Sequence, residues 1–484
     1  MSTTEQRGAR RSSPSPASGA GERPSSRTTP GGKERTLSGF GLRAPSRARV
    51  LSPRGPEVAV TMLEHLAAAG GGVIARGAGR SYGDAAQNGG GTVLDMTGCD
   101  RVTRIDGGRG LVRAQAGTTL GELMASLARV GLGLPVVPGT QHVTVAGAIA
   151  ANVHGKSHHH DGAFERHVES VLLWTPAHGV LEISEQGEHA DLFHATLGGM
   201  GLTGVVLEAT LRTERLPSWN VRVQAEQSAS LDGTLELLAA PEHQRYSVAW
   251  LDLLARGPAF GRGIVERGDL LDEQAPPAGA EPAPGRARRP VLRRTLPVTP
   301  LRPTVVRALN SARWRLAPGR LDGRCRPLDR FLFPLDGVDG WNRLYGPRGF
   351  VQYQLVIPDG REAALEGVFA LIRDRRLPVL LAVLKRFGPA SPGPLSFPLP
   401  GWTLAADIPA GAPGLAEALD ELDEVVAGSG GRVYLAKDVR MRAELLEVMY
   451  PRIARFREIA AHADPDGLLR SDLSRRLSLR EGER

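Results

Sequence analysis

Ile74-Ala-Arg-Gly-Ala-Gly-Arg-Ser-Tyr-Gly-Asp84, with Asn88-Gly-Gly-Gly91 just behind it, is the stretch whose reading decides the fold. It follows the short apolar segment Val73-Ile74-Ala75 and precedes a second one over residues 92–96, so it reads as a glycine-rich turn between two strands. A doubly wound dinucleotide fingerprint needs its glycines at the start of a helix, where the helix N-terminus meets the diphosphate. Residues 85–91 are too short and too Gly-rich to be that helix. Successive backbone N–H groups in such a loop can instead form an anion nest that requires no helix. Taken alone, the loop is equally well a plain tight turn.

Two further segments tip the balance. Pro138-Gly-Thr-Gln-His-Val-Thr-Val-Ala-Gly147 runs into the small residues Ala148 to Ala151 and closes on His154-Gly-Lys156. Gly198-Gly-Met-Gly-Leu-Thr-Gly204 repeats the pattern before an apolar run. Small side chains let the backbone approach a flat ligand closely. Three separated segments of this kind suit a long ligand better than a lone phosphate.

Composition narrows the class. The 484 residues are 41% hydrophobic, normal for a folded globular protein, and no run approaches the apolar length that spans a bilayer. Cys99 and Cys325 are far apart and define neither a disulfide framework nor a zinc site. With charges and no apolar stretch of the secretory type at the start, a cytoplasmic protein is expected. The net charge of +8 is unevenly spread. Residues 1–50 hold ten basic and three acidic groups, and residues 281–330 hold thirteen Arg against three acids, so the rest of the chain is acidic. That distribution argues against nucleic-acid binding, which places positive charge on a folded recognition face. Among 60 basic residues only Lys33, Lys156, Lys385 and Lys437 are lysines. Where arginine serves as the general cation, a retained lysine marks a place that needs a compact ammonium with a tunable pKa.

Residues 1–35, rich in Ser, Pro, Gly and Arg, read as a disordered basic tail. Residues 57–69 form a helix with Val58, Met62, Leu63 and Leu66 on its apolar face, and residues 119–130 and 143–153 form two more. Residues 433–436 read as a strand and residues 441–459 as a helix-rich close. From about 216 to 430 strands and helices alternate, interrupted by a Pro/Ala/Arg-rich stretch, about 274–303, expected to be a mobile loop. The class is α+β.

The quoted loop, Pro138–Lys156, Gly198–Val206, Gln352-Tyr-Gln-Leu-Val-Ile-Pro358, Gly401-Trp402 and Tyr434-Leu-Ala-Lys-Asp438 together resemble flavoproteins of the vanillyl-alcohol oxidase type. More narrowly they resemble the decaprenylphosphoryl-β-D-ribose 2-oxidase family, flavin subunits of a 2′-epimerase that makes the arabinose donor for cell-wall polysaccharides. The resemblance covers roughly residues 36–478. It implies a two-part FAD-binding domain over 36–215, a substrate-binding α+β cap over 216–430, and a segment, 431–484, that returns to the first domain. It implies FAD contacts at Ala75, Arg76, Gly77, Ala78, Gly79, Arg80, Ser81, Tyr82, Gly83, Asp84 and Ala85, and at Gly139, Thr144, Val145, Ala146 and Gly147. Further contacts are implied at Ala151, Asn152, Val153, His154, Val206 and Tyr434. Arg80 stands where the wider superfamily often carries a flavin-linking His, so FAD is expected to be non-covalent. Substrate-site positions are Tyr82, His154, Lys156, Trp250, Gln354, Lys385, Phe387 and Lys437. After Gly401-Trp402 the family has Asn and, two residues later, an active-site Cys; here these are Thr403 and Ala405.

Oxidising a secondary alcohol needs a base or acceptor within about 3 Å of the hydroxyl. Lys437 is the first choice, with His154 and Tyr82 as the other catalytic candidates. Lys156, Trp250, Gln354, Lys385, Phe387 and Thr403 are the substrate-binding candidates, Lys385 for a phosphate. Each lysine has a plainer alternative as a salt bridge, such as Lys437 with Asp438. His154, His158, His159 and His160 carry no metal-ligand pattern, so no metal is expected and the triplet reads as loop surface. The expected partners are a polyprenyl-phosphoryl sugar, a short-chain NAD(P)H reductase and, peripherally, the inner face of the plasma membrane. Alternatives are an aldonolactone or alditol oxidase using O₂, and a flavin-free binding protein on the same fold. The stretch 302–316 sets Val305, Leu309, Ala312 and Leu316 on one helical face flanked by Arg302, Arg313 and Arg315, with Trp314 opposite. Such a helix either packs inward or lies on anionic lipid.

Overall fold

The strand Val73–Arg76 that feeds the glycine-rich loop lies parallel to Thr92–Asp95, with Ala75 opposite Leu94. The intervening residues therefore cross from one parallel strand to its neighbour with no helix between them. A computed structural model describes residues 31–240, 243–271 and 290–480, and from Gly32 onward they form one compact unit. Ser46–Leu51 continues the sheet in parallel beside Thr92–Asp95, and Lys33–Leu37 closes it as an antiparallel edge. Order thus begins at Lys33, inside the stretch assigned to the tail; residues 1–30 lie outside the described ones. The edge strand reads as tail because its residues, Lys33, Glu34 and Arg35 among them, are charged and exposed, the usual protection of a free sheet edge.

The helix Pro56–Ala69 buries Pro56, Ala59, Leu63 and Leu66, while Val58 is 45% exposed. Its packed stripe thus runs through the small Ala59, and not through Val58 as the periodicity suggests. A five-stranded antiparallel sheet follows, in the order Val102–Asp106, Leu111–Gln115, Val205–Arg212, Val168–Thr175 and Gly179–Ile183. The helix Leu120–Ala128 starts at a reciprocal cap, Thr119 with Glu122, which satisfies two otherwise orphaned donors. The expected helix over 143–153 is only Val145–Ala150. It stops because Asn152 turns the chain through a left-handed conformation, φ +42°.

The eight-stranded sheet is antiparallel throughout and is ordered Arg320–Pro327, Asn220–Ser228, Gly263–Leu270, Tyr246–Leu251, Leu381–Phe387, Gly401–Pro409, Phe350–Pro358 and Arg432–Val433. Phe350–Pro358 is buried almost end to end, so both of its faces are covered. One face packs on the helices Glu362–Asp374 and Leu415–Gly428, and Tyr353 donates to Asp423 there at 2.8 Å. One continuous apolar core runs from this sheet into the five-stranded one.

Arg432–Val433 pairs with Phe350–Pro358, so the large sheet runs past residue 430. The strand expected over 433–436 is only this pair of residues; Tyr434 opens a turn, closed by Lys437 N–H on the Tyr434 carbonyl at 2.9 Å. The chain then returns to the first sheet. Leu469 bridges Val73, Asp472 accepts from Ser46 and the Gly89 amide at 2.6 and 2.8 Å, and Arg476 forks onto Asp84 at 3.0 and 2.9 Å. Of the stretch 274–303, residues up to 289 lie outside the described ones. The remainder runs along 339–346, with Leu292 donating to the Asp339 carbonyl at 2.8 Å and Thr299 to that of Leu344 at 2.8 Å. Among the described residues no helix is long and apolar enough to cross a membrane.

Candidate active site

A cavity of about 300 Å³ lies between the glycine-rich loop and the face of the eight-stranded sheet turned away from the helices Glu362–Asp374 and Leu415–Gly428. Its two walls are built differently. One is made of backbone and small residues: Ala75 to Tyr82 and Ala85, then Gly139, Thr144, Ala146, Gly147, Ala151 and Val153, then Met200, Gly201, Gly204 and Val206. A Cβ on Gly77 would lie 2.2 Å from Thr144 Oγ1, the atom that caps Gly147 N–H at 3.2 Å, so only glycine lets the loop approach this helix. Gly79 turns at φ +64°, where glycine has no steric penalty. Arg76 folds beneath the loop and donates to the carbonyls of Ala86 at 3.0 Å and Ser38 at 2.8 Å. The N–H groups of Ala78 to Ser81 donate to no backbone carbonyl among the described residues, which leaves them free for an anion.

The opposite wall is side chain. Antiparallel register sets Gln352 opposite Asp407 and Gln354 opposite Ala405; on the next strand Leu381 faces Asp407, Val383 faces Ala405 and Lys385 faces Thr403. Directly paired residues share a face. Gln352, Gln354, Leu381, Val383, Lys385, Ala405 and Asp407 accordingly all line the cavity. Lys437 joins them from the turn after the last strand. Its ammonium lies 4.0 Å from the centre of the Tyr82 ring and donates to Gln352 Oε1. Gln352 Nε2 donates in turn to Asp407 Oδ1 at 2.5 Å, which fixes the amide with its oxygen toward the lysine. The turn is locked to the loop: Tyr82 N–H donates to the Ala436 carbonyl at 2.9 Å, and a Cβ on Gly83 would fall 1.7 Å from the Asp438 carbonyl oxygen.

Electrostatically this end of the cavity is a buried cationic cluster with one carboxylate. Burial lowers the Lys437 pKa, Asp407 opposes that shift and Lys385 adds to it. Burial raises Asp407, against the Gln352 hydrogen bond and the charge of Lys437. Lys385, with no carboxylate partner among the described residues, is brought down to about 8 by burial. Burial holds His154 well below its usual value, with Lys385, His158 and Lys437 adding to the effect, so the ring is neutral. The Gln354 amide contacts His154 Nε2 at 2.8 Å; with the amide nitrogen donating, the ring proton falls on Nδ1. That Nδ1 is buried and has no hydrogen-bond partner.

Most of the residues singled out in the sequence meet here, but not all. Lys437, His154, Tyr82, Gln354 and Lys385 line the cavity. Lys156 does not: its ammonium donates to the Phe331 carbonyl and lies 4.1 Å over the Phe331 ring. Trp250, opposite Val383 one strand further out, lies under Arg313. Phe387 packs edge-on against His154 at 4.8 Å. Thr403 is wholly buried, donating to the Leu355 carbonyl at 2.9 Å and accepting from Gln354 at 3.2 Å. Gly83, Asp84, Val145 and Asn152 stand behind the first wall; Asn152 Nδ2 reaches Ser391 and Ser396 at 3.1 and 3.0 Å. His158 is also buried, tilted against Phe387 at 4.2 Å and accepting from the Gly388 amide at 3.1 Å, so the histidine triplet is not all loop surface. Gln352 and Asp407 were missed as site residues. The signal for Gln352 was the alternation of polar Gln352 and Gln354 in an otherwise apolar strand.

A flat ligand with a diphosphate fits these walls on two counts: free amides with a glycine approach on one side, and a partnerless buried ring N–H on the other. A family model described as an FAD binding domain matches residues 48–184, which hold most of the first wall. FAD is therefore the cofactor, and Arg80 supplies no nucleophile for a covalent link. The chain is 40% identical over 448 residues to decaprenylphosphoryl-beta-D-ribose oxidase of Mycolicibacterium smegmatis, covering 92% of this chain and 97% of that one. An uncharacterised protein of Streptomyces coelicolor is 41% identical over 372 residues, 75% of this chain and 100% of its own. L-Gulono-1,4-lactone dehydrogenase of Mycobacterium tuberculosis is more distant, 26% over 416 residues, 84% and 90% of the two chains.

Proposed function

Because the chain belongs to the decaprenylphosphoryl-β-D-ribose oxidase family of FAD-dependent oxidoreductases, we propose that it oxidises the 2-hydroxyl of a polyprenyl-phosphoryl pentose to the 2-keto sugar. The observation that carries this reading is the buried Lys437–Gln352–Asp407 chain facing the glycine-rich wall. Bound FAD supplies the two-electron acceptor for the hydride that leaves the carbinol carbon. Lys437, its pKa lowered by burial, accepts the hydroxyl proton. Gln352, held by Asp407, keeps the lysine nitrogen aimed into the cavity. Neutral His154 donates through Nδ1 to the cofactor, and Tyr82 covers the lysine and excludes water. Lys385 receives the phosphate. Gln354 orients the sugar, and Thr403 acts through Gln354 and not by touching substrate. Lys156, Trp250 and Phe387 support this wall from behind.

The first wall, with the residues behind it, serves as the FAD-binding domain, and the large sheet as the substrate cap. A 2-keto sugar must be reduced from the opposite face to complete an epimerisation, so a short-chain NAD(P)H reductase is the natural partner. Such an epimerisation would feed the arabinan of a cell envelope. A lipid-linked substrate agrees with work at a membrane surface, which we read as the inner face of the plasma membrane.

The test is anaerobic bleaching of the bound flavin by a panel of compounds. Farnesyl-phosphoryl ribose should bleach it rapidly and free alditols or aldonolactones should not. Turnover of the free sugars with release of peroxide, and none of the phosphoryl ribose, would displace this reading in favour of a lactone or alditol oxidase.

A further inference from the structure

The helix Pro303–Leu316 is amphipathic in an inverted sense. At about 100° per residue, Val305, Leu309, Ala312 and Leu316 fall within an arc of roughly 60°. All four face solvent, Leu316 at 84% exposure, Leu309 at 60% and Val305 at 46%. The side toward the protein is largely polar. Asn310 donates to Asp252 at 3.1 Å, Arg262 reaches Ser311 at 2.8 Å, Arg307 donates to the Leu254 carbonyl at 3.0 Å, and Trp314 Nε1 to that of Ser228 at 3.0 Å. A helix docked only by its own fold would turn these faces the other way.

We propose that this helix is the surface by which the protein lies on an anionic lipid bilayer, with the apolar stripe in the acyl boundary and the arginines at the headgroups. Charge selects the occupant. Residues 290–324 carry eight Arg and a single acid, Asp322, and Arg302 and Arg315 flank the stripe on its two sides. A cationic rim around an exposed apolar stripe complements a negatively charged leaflet. The exposed Val298, 67% accessible just before the helix, extends the apolar area. Position supports the same occupant. The one apolar side chain the helix buries, Val306, belongs to the cluster of Tyr345 and Phe350, against which the cavity residues Phe40, Tyr82 and Trp341 pack. The docking helix is thus joined through its opposite face by packed side chains to one end of the cavity, where a lipid-linked substrate would be handed over. This last step rests on the substrate reading above; the docking itself does not.

The test uses the full chain loaded with FAD, floated with vesicles of phosphatidylglycerol and phosphatidylcholine and with vesicles of phosphatidylcholine alone, no substrate being present. Wild-type protein should bind the anionic vesicles at least tenfold more tightly than the neutral ones, with salt weakening the binding. The double variant Leu309→Glu/Leu316→Glu should lose at least tenfold in that binding, with flavin content and thermal midpoint unchanged. Arg302→Ser/Arg315→Ser should lose the anionic preference. Flotation of the leucine variant equal to wild type would overturn the proposal, since another segment would then carry the binding. Ultracentrifugation showing a wild-type dimer that the same variant dissociates would overturn it too, by assigning the stripe to a second copy. Because no substrate is used, neither result bears on the sugar oxidation, and a failure of flavin bleaching leaves the vesicle result standing.

Discussion

The two walls of the cavity solve opposite problems. The glycine-rich wall recognises with backbone amides and needs side chains to be absent, at Gly77 and Gly83 above all. The sheet wall recognises with side chains and needs them present in register, Gln352 beside Asp407 and Gln354 beside Ala405. Each segment of the first wall is a run of glycines and small residues contiguous in sequence. The second exists only after strands separated by tens of residues have paired. A binding wall can therefore be read from a chain more readily than a reacting wall, and the two should fail differently under substitution.

The largest separation of the two is expected from Lys437→Met. It removes the proton acceptor and leaves the backbone amides of the glycine wall in place, so the rate of anaerobic flavin bleaching should fall by roughly 10²–10⁴-fold while FAD stays bound. Stopped-flow absorbance and the flavin-to-protein ratio together check this.

Gly83→Ala attacks the seam between the walls. Its Cβ would have to displace the Asp438 carbonyl, so the loop and the lysine turn must part. FAD affinity should fall by about 100-fold, on the order of 3 kcal/mol, and the thermal midpoint should drop with it. Titration of the apoprotein with FAD measures the loss.

Asp407→Asn is a milder break. The carboxylate orients Gln352 and favours the charged form of Lys437. The neutral lysine is the working form, so the bleaching rate rises as pH climbs through its pKa. Removing the negative charge lowers that pKa further. The ascending limb of the pH profile should therefore move to lower pH, with a plateau roughly tenfold down. A purely structural role for Asp407 would lower the plateau and leave the limb in place.

Ala405→Cys has the smallest expected effect. Ala405 lines the cavity, so a thiol there should react with thiol reagents in the apoprotein and be shielded by substrate, whereas the native Cys99 is buried. Turnover should change little. Peptide mapping after labelling reads the outcome.

The limits of sequence reading follow the same division. The loop from Ala75 to Tyr82, the small residues before His154 and the run at Gly201 were legible because the lack of side chains is visible residue by residue. Scarcity of lysine pointed at Lys385 and Lys437, but equally at Lys156, and only the fold separates them: Lys156 turns under Phe331, while the other two share one face of the cavity. Thr403 was read as a substrate contact because it stands where the family has Asn after Gly401-Trp402, yet its hydroxyl is used up by the Leu355 carbonyl and Gln354. Asp407 gave no local signal, since its meaning comes from the strand opposite. The apolar stripe on Pro303–Leu316 was visible as a period, but a period does not say which way a helix faces.

The central claim is that Lys437 and the glycine wall meet at one reacting carbon. Its most direct measurement is the anaerobic bleaching rate with farnesyl-phosphoryl ribose carrying deuterium at C2, compared with the unlabelled compound. A clear slowing with deuterium at C2, and none with deuterium at C3, is the result expected. Equal rates for the C2-labelled and unlabelled sugars, with slowing from the C3 label instead, would contradict it.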